Sequence, residues 1–159
     1  MQKQIRVLQW GLGAMGSGMA KLMLQKEGLK IVAAVDGRPD YVGKDLGEIL
    51  KVDQHLGVSV TNQPETVLDK EKVDIVVIAT TSWTEKQMPD LRRILKAGIN
   101  VVSIAEEMSD PAAQSPELAQ ELDQLAKENG VSILGTGVNP GFVLDLLVVW
   151  LTAGCHRVD

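Results

Sequence analysis

The stretch VLQWGLGAMGSGMA, residues 7–20, decides how this chain folds. An apolar run ends at Trp10, and Gly11, Gly13 and Gly16 follow in the spacing G-x-G-x-x-G at the mouth of a helix-like segment. Each glycine has its own task in a dinucleotide-binding turn: Gly11 makes the turn tight, Gly13 lets a pyrophosphate approach, and Gly16 packs helix on strand. The amides at the helix start, at Ala14 and Met15, then meet the phosphates with the positive end of the helix dipole. Taken alone the glycines serve turn geometry equally well. Asp36 adds context, because it ends the second apolar run about 20 residues beyond Gly16, where a carboxylate accepts from ribose hydroxyls. In DGRPD it is also an ordinary turn residue. Arg38, two positions on, can pair with a 2′-phosphate, so the loop suggests NAD with NADP tolerated. The alternative for Arg38 is a solvated surface charge.

Outward from this unit, apolar runs of strand length alternate with longer helix-like stretches, as in a parallel sheet covered on both faces. The spacing predicts strands at Ile5–Trp10, Lys30–Val35, Val58–Thr61, Asp74–Ala79, Asn100–Ile104 and Val131–Leu134. DIVVIAT is apolar throughout, as expected when both faces of a strand are buried. Helices are expected over 16–27, with Met19, Leu22 and Met23 on one stripe, over 84–98 ending on Gly98, and over 115–130. The last opens with Ser115 as N-cap and Pro116 at the first helical position, and closes at Gly130. The fold class is α/β, a doubly wound parallel sheet of about six strands, the Rossmann architecture, with helices on both faces. We expect a nucleotide-binding domain at 1–141. The apolar stretch FVLDLLVVWLTAG then opens a segment, 142–159, that leads into a second, substrate domain. A last helix completing the sheet's outer layer is the other reading.

Bulk properties narrow the possibilities. A chain of 159 residues buries about 68–70% of its unfolded surface and needs no staples. With 3% aromatic residues, its core must be aliphatic. A net charge of −5 gives no broad attraction to nucleic acid or anionic membrane, so an anionic cofactor is held by local devices. Cys155 is the sole cysteine, which excludes an intrachain disulfide and suits a cytoplasmic setting. No apolar run approaches the roughly 20 residues that span a bilayer.

Further candidates stand at strand ends, where open α/β sheets bind ligands. Thr80 and Thr81 follow the fourth strand and can hold a nicotinamide ribose, while Ser82 caps the helix near Thr84. Glu106 and Glu107 follow the fifth strand, and only one of two neighbours can face a site. Glu106 and Asn139, the latter in GTGVNPG, are the substrate-side candidates, although a surface carboxylate and a simple turn explain them too. His55 and His156 receive no catalytic assignment, no metal is expected, and the catalytic residues stay unassigned.

WGLGAMG, DGRPDYVGKDLGEIL, VIATTS and GTGVNPGFVLDLL together resemble the dihydrodipicolinate reductase-like dehydrogenases, in particular their 2,4-diaminopentanoate dehydrogenase branch, over the whole chain. The resemblance implies NAD(P)-dependent oxidative deamination of 2,4-diaminopentanoate, a small amino acid substrate, within ornithine degradation. It places Gly11, Gly13 and Gly16 in the phosphate loop, Asp36 and Arg38 at the adenosine ribose, and Thr80 and Thr81 on the nicotinamide side. It also implies a C-terminal domain and a homo-oligomer in the full-length protein. The His-rich, Lys-bearing signature of dihydrodipicolinate reductases is missing. Two alternatives remain: a dinucleotide-binding module without catalysis of its own, and a dihydrodipicolinate reductase-like imine reductase.

Overall fold

The computed structural model describes residues 4–139 and 141–157. Its first half runs β1 (Ile5–Trp10), α1 (Ala14–Leu24), β2 (Leu29–Val35), α2 (Leu46–Leu50) and β3 (Val60–Thr61). The second runs β4 (Ile75–Ile78), α3 (Thr84–Lys96), β5 (Asn100–Ser103), α4 (Pro111–Gln114), α5 (Pro116–Asn129) and β6 (Ile133–Gly135). A π-turn at Phe142–Leu146 then leads into α6 (Leu147–Thr152). All strand pairs are parallel, in the order β3-β2-β1-β4-β5-β6. This is the doubly wound Rossmann sheet expected from the alternation of apolar runs. Strand order reverses between β1 and β4, and the carboxyl ends of these two strands open the crevice where such sheets take ligands.

Two aliphatic layers hold the sheet. On one face Leu8, Trp10, Val76 and Ile78 pack against Leu91 and Leu122 of α3 and α5. On the other, Ile31, Ala34 and Val60 meet Ala20, Leu46 and Leu50 of α1 and α2. Each fully buried aliphatic side chain contributes about 1.5–3 kcal/mol, so the scarcity of aromatic residues does not weaken the core.

Helix α1 packs on the sheet through small residues. Gly16 and Ala20, four apart and thus on one stripe, are the residues it buries. This corrects the expected stripe of Met19, Leu22 and Met23. Met19 and Met23 are half-buried, but Leu22 is 59% exposed, rotated away by the Gly16–Ala20 seam. The helix also starts at Ala14, two residues before Gly16, with Gly13 as its N-cap.

Burial of DIVVIAT is also one-sided. Val76 and Ile78 are buried while Ile75 and Val77 are half-buried, because the α1–α2 layer packs on β1, β2 and β3 and leaves the rest of that face open. β3 shortens to two residues: Val58 stays in the core, and Ser59 bridges antiparallel to Asp45. β6 shifts to Ile133–Gly135, which pairs with Val101–Ser103, and a Cβ on Gly135 would lie 1.9 Å from the Met108 carbonyl oxygen. α5 occupies its expected span and ends on Gly130 at φ +65, although the Ser115 side chain makes no capping bond. Gly98, at φ +71, follows the C-cap Ala97 of α3.

The segment after β6 packs little. Phe142, Leu144, Val149, Trp150 and Leu151 are all exposed. Pro140 of the NPG turn lies outside the described residues.

Candidate functional site

Two hollows open at the carboxyl edge of the sheet, the first of them at the reversal of strand order. The first, about 250 Å³, is lined by Trp10, Gly11, Gly13, Asp36, Arg38 and Thr80, together with Gly37 and Ala79. Gly11 holds φ +90, and a Cβ there would lie 2.5 Å from the Ala79 carbonyl oxygen, so glycine is required where the β1 and β4 ends approach. Gly16 lies behind the turn, where a Cβ would meet the Gly11 carbonyl oxygen at 2.0 Å. Gly13 differs from both. A Cβ there has no neighbour within 4 Å, so its face is open to a ligand.

The start of α1 has no cap of its own, although the Asp36 carboxylate accepts from Leu12 N one residue before the N-cap Gly13. No side chain caps it and its first turn carries no acidic residue. The other helices of this edge are served differently: Asp45 accepts from Gly47 N at the start of α2, and Glu107 accepts from Thr84 N at 2.8 Å at the start of α3. Helix N-termini leave unpaired N–H groups and a partial positive charge. An anion is therefore the natural complement at α1, next to the open face of Gly13.

Asp36 lines the same hollow and is tied to the glycine loop. One of its oxygens accepts from Leu12 N at 2.7 Å and from Arg38 Nη2 at 2.9 Å, and the other from Arg38 N and Nε at 2.9 Å. Burial alone would push this carboxyl up, but the Arg38 guanidinium and the two backbone amides hold it below its ordinary value. It is therefore ionised at neutral pH. Arg38 is not the free surface cation weighed from the sequence. It is clamped on Asp36 and stacked 3.8 Å from the Tyr41 ring centroid. Leu12 N and Tyr41 gave no signal by spacing; the carboxylate's lone pairs and the aromatic ring three residues after Arg38 recruit them.

The second hollow, about 820 Å³, lies between α1 and the ends of β5 and β6. It takes Ala14, Met15, Glu106 and Asn139 from the candidate residues, and its wall is otherwise mostly apolar, with Met19, Leu22, Ile104 and Val138. Glu106 is exposed there while Glu107 is half-buried. A hydrogen bond with Ser82, then one from its own backbone, lowers the Glu106 pKa, so this carboxylate faces the apolar hollow as an anion. Thr81 stands apart from both hollows, accepting from Trp83 N at 3.4 Å.

Ser82 does not cap α3. The N-cap position is Trp83, without a side-chain bond, and the carboxylate of Glu107 supplies the cap from 23 residues away. Glu107 N also donates to the Ser82 carbonyl, which fixes the carboxylate over the helix start. His55 and His156 are exposed. Among the described residues no group of three His, Cys, Asp or Glu is placed to hold a metal ion, and no helix is long and apolar enough to cross a membrane.

A parallel sheet reversing at a glycine turn, with an acid ending β2, defines the Rossmann architecture, the fold class of dinucleotide-binding domains. Residues 5–77 match the family described as dihydrodipicolinate reductase, N-terminus. Over 98% of its length it is 43% identical to the 2,4-diaminopentanoate dehydrogenase of Acetoanaerobium sticklandii, and 29% identical to an amine dehydrogenase of Streptomyces virginiae. The structure of an amine dehydrogenase from Mycobacterium smegmatis superposes with a TM-score of 0.89 at 39% identity, again over 98% of this chain. The chain spans 44% of the length of each of those two sequence relatives and 45% of the solved structure.

Proposed function

We propose that this domain binds NAD or NADP within an enzyme that oxidatively deaminates 2,4-diaminopentanoate. The observation that carries the reading is the uncapped N-terminus of α1 beside the open face of Gly13, with an ionised Asp36 lining the same hollow. Gly11 and Gly13 let a pyrophosphate approach, the amides at Ala14 and Met15 receive it, and Gly16 keeps the helix close enough to do so. Asp36 accepts from the adenosine ribose hydroxyls in exchange for part of the Arg38 clamp that fills its lone pairs, and Thr80 faces the nicotinamide ribose, with Thr81 set back from the hollow. Because Arg38 is held by Asp36, a 2′-phosphate must compete for the guanidinium. NAD is therefore the preferred cofactor and NADP the tolerated one. Bound nicotinamide supplies the hydride acceptor.

The substrate side rests on Glu106. An ionised carboxylate on a mostly apolar wall suits a short aliphatic diamino acid, whose ammonium it holds while the methylene and methyl groups lie on Met15, Leu22 and Val138. Asn139 offers an amide to the same molecule. The apolar segment at 142–151 and the open half of the α1 face support a second domain that encloses this hollow; the resemblance adds a homo-oligomer, and the lone Cys155 suits a cytoplasmic setting. Hydride transfer from 2,4-diaminopentanoate, followed as NADH absorbance with the longer protein, tests the assignment. Turnover with loss of activity in Glu106→Gln is expected. NADH binding without turnover of this substrate would instead leave a dinucleotide-binding module.

A further inference from the structure

Besides Thr84 in its first turn, α3 and the strand beneath it bury two polar side chains that packing alone does not call for. Gln87 and Ser103 are both fully buried, on the sheet face whose core includes Ile78, Met88 and Leu91. Taking an amide and a hydroxyl out of water is costly unless both are bonded, and an apolar pair of similar shape would fill the same space. Here the bonds form one line. Ala105 N donates to Ser103 Oγ at 3.1 Å, Ser103 Oγ donates to Gln87 Oε1 at 2.5 Å, and Gln87 Nε2 donates to Thr80 Oγ1 at 3.4 Å. The line starts beside Glu106, crosses the first turn of α3 and ends on a hydroxyl that lines the glycine-loop hollow.

A threonine hydroxyl has one proton and two lone pairs and turns to suit its surroundings. Donation from Gln87 occupies a lone pair on Thr80 and leaves the Thr80 proton to point elsewhere. Ser103 in turn fixes which way round the Gln87 amide lies, because its Oγ proton goes to the amide oxygen and presents the NH2 group to Thr80. We propose that Gln87 and Ser103 are positioning residues that turn the Thr80 hydroxyl outward as a donor to the nicotinamide-side ribose of the bound dinucleotide. This rests on the cofactor reading above. Nothing in the spacing points to it, since Gln87 and Ser103 look like ordinary helix and strand positions.

The test compares NADH with ADP, which keeps the adenosine and diphosphate but lacks the second ribose. Titrations use the full 159-residue chain and the variants Gln87→Met, Ser103→Ala and Thr80→Val, with thermal melting as the check on folding. Loss of one oriented hydrogen bond predicts NADH binding weaker by about fivefold to tenfold, with ADP affinity unchanged. Gln87→Met combined with Thr80→Val should weaken NADH no more than Thr80→Val alone, because both act through one hydroxyl. If Gln87→Met does not fold, Ser103→Ala carries the comparison. Equal losses for NADH and ADP, no loss for either, or fully additive effects in the double variant overturn the proposal. A wild-type chain that binds neither probe overturns the cofactor reading itself, a separate result.

Discussion

Alanine at position 16 and valine at position 13 should damage different properties of the same turn. A Cβ on Gly16 would stand 2.0 Å from the Gly11 carbonyl oxygen and 3.1 Å from Gln9 Nε2. Ordinary carbon contacts begin near about 3.5 Å, so α1 must retreat by roughly 1.5 Å. The nearest opposing atoms are backbone and cannot swing aside, and retreat loosens Ala20 and Leu12 from the core they share. Overpacking of this kind costs about 1–3 kcal/mol, and a domain of this size loses about 2–4 °C of melting temperature per kcal/mol. Gly16→Ala should therefore melt roughly 3–10 °C below wild type. Gly13 sits at φ −62 and ψ −171, extended backbone that any residue adopts, with empty space around its Cβ. Gly13→Val should melt near wild type yet lose NADH binding, because its branches occupy the pyrophosphate approach. Circular dichroism melts paired with NADH quenching of Trp10, which lines the hollow, read both effects. A Gly16→Ala variant that melts within about 1 °C of wild type, or a Gly13→Val variant with unchanged NADH affinity, would refute the reasoning.

Other expectations follow from the same geometry. Asp36→Ala releases Arg38 from its bidentate clamp and should raise the NADPH-to-NADH affinity ratio by about tenfold; an unaltered ratio in paired titrations means Asp36 is not the ribose acid. Glu107→Ala removes the long-range cap of α3 and should lower the melting temperature by about 2–4 °C, the equivalent of about 1 kcal/mol. Ser82→Ala should cost less, and the reverse ranking would return the cap to Ser82. Asp45, which accepts from Leu56 N, Gly47 N and Val58 N, is held below its ordinary value, first by the Leu56 amide. A depressed folded-state pKa stabilises the fold above the unfolded value and loses that contribution as pH falls through the folded one. Urea midpoints should therefore fall between about pH 5 and pH 3, and less steeply in Asp45→Asn; an identical slope in the variant counts against the Asp45 hub.

The sequence by itself determined the sheet and the glycine turn. Strand alternation, the G-x-G-x-x-G spacing and an acid at the end of β2 are all written within windows of some thirty residues, where periodicity and turn chemistry act locally. Gly130 after α5 and Asp36 before its turn were legible for the same reason. Other features depend on which distant residues the register of the sheet brings together. Gly11 must be glycine partly because Ala79, on β4's far end, crowds it. Glu107 replaces Ser82 as the cap of α3 because the turn after β5 lies over that helix start. Leu22 is turned to the surface because Gly16 and Ala20 seat α1 on the sheet, and the Thr80–Gln87–Ser103 line exists only once β4, α3 and β5 are packed. Local pattern selects the elements. The contacts between elements, where carboxylates, amides and small residues find their partners, are set by packing in three dimensions.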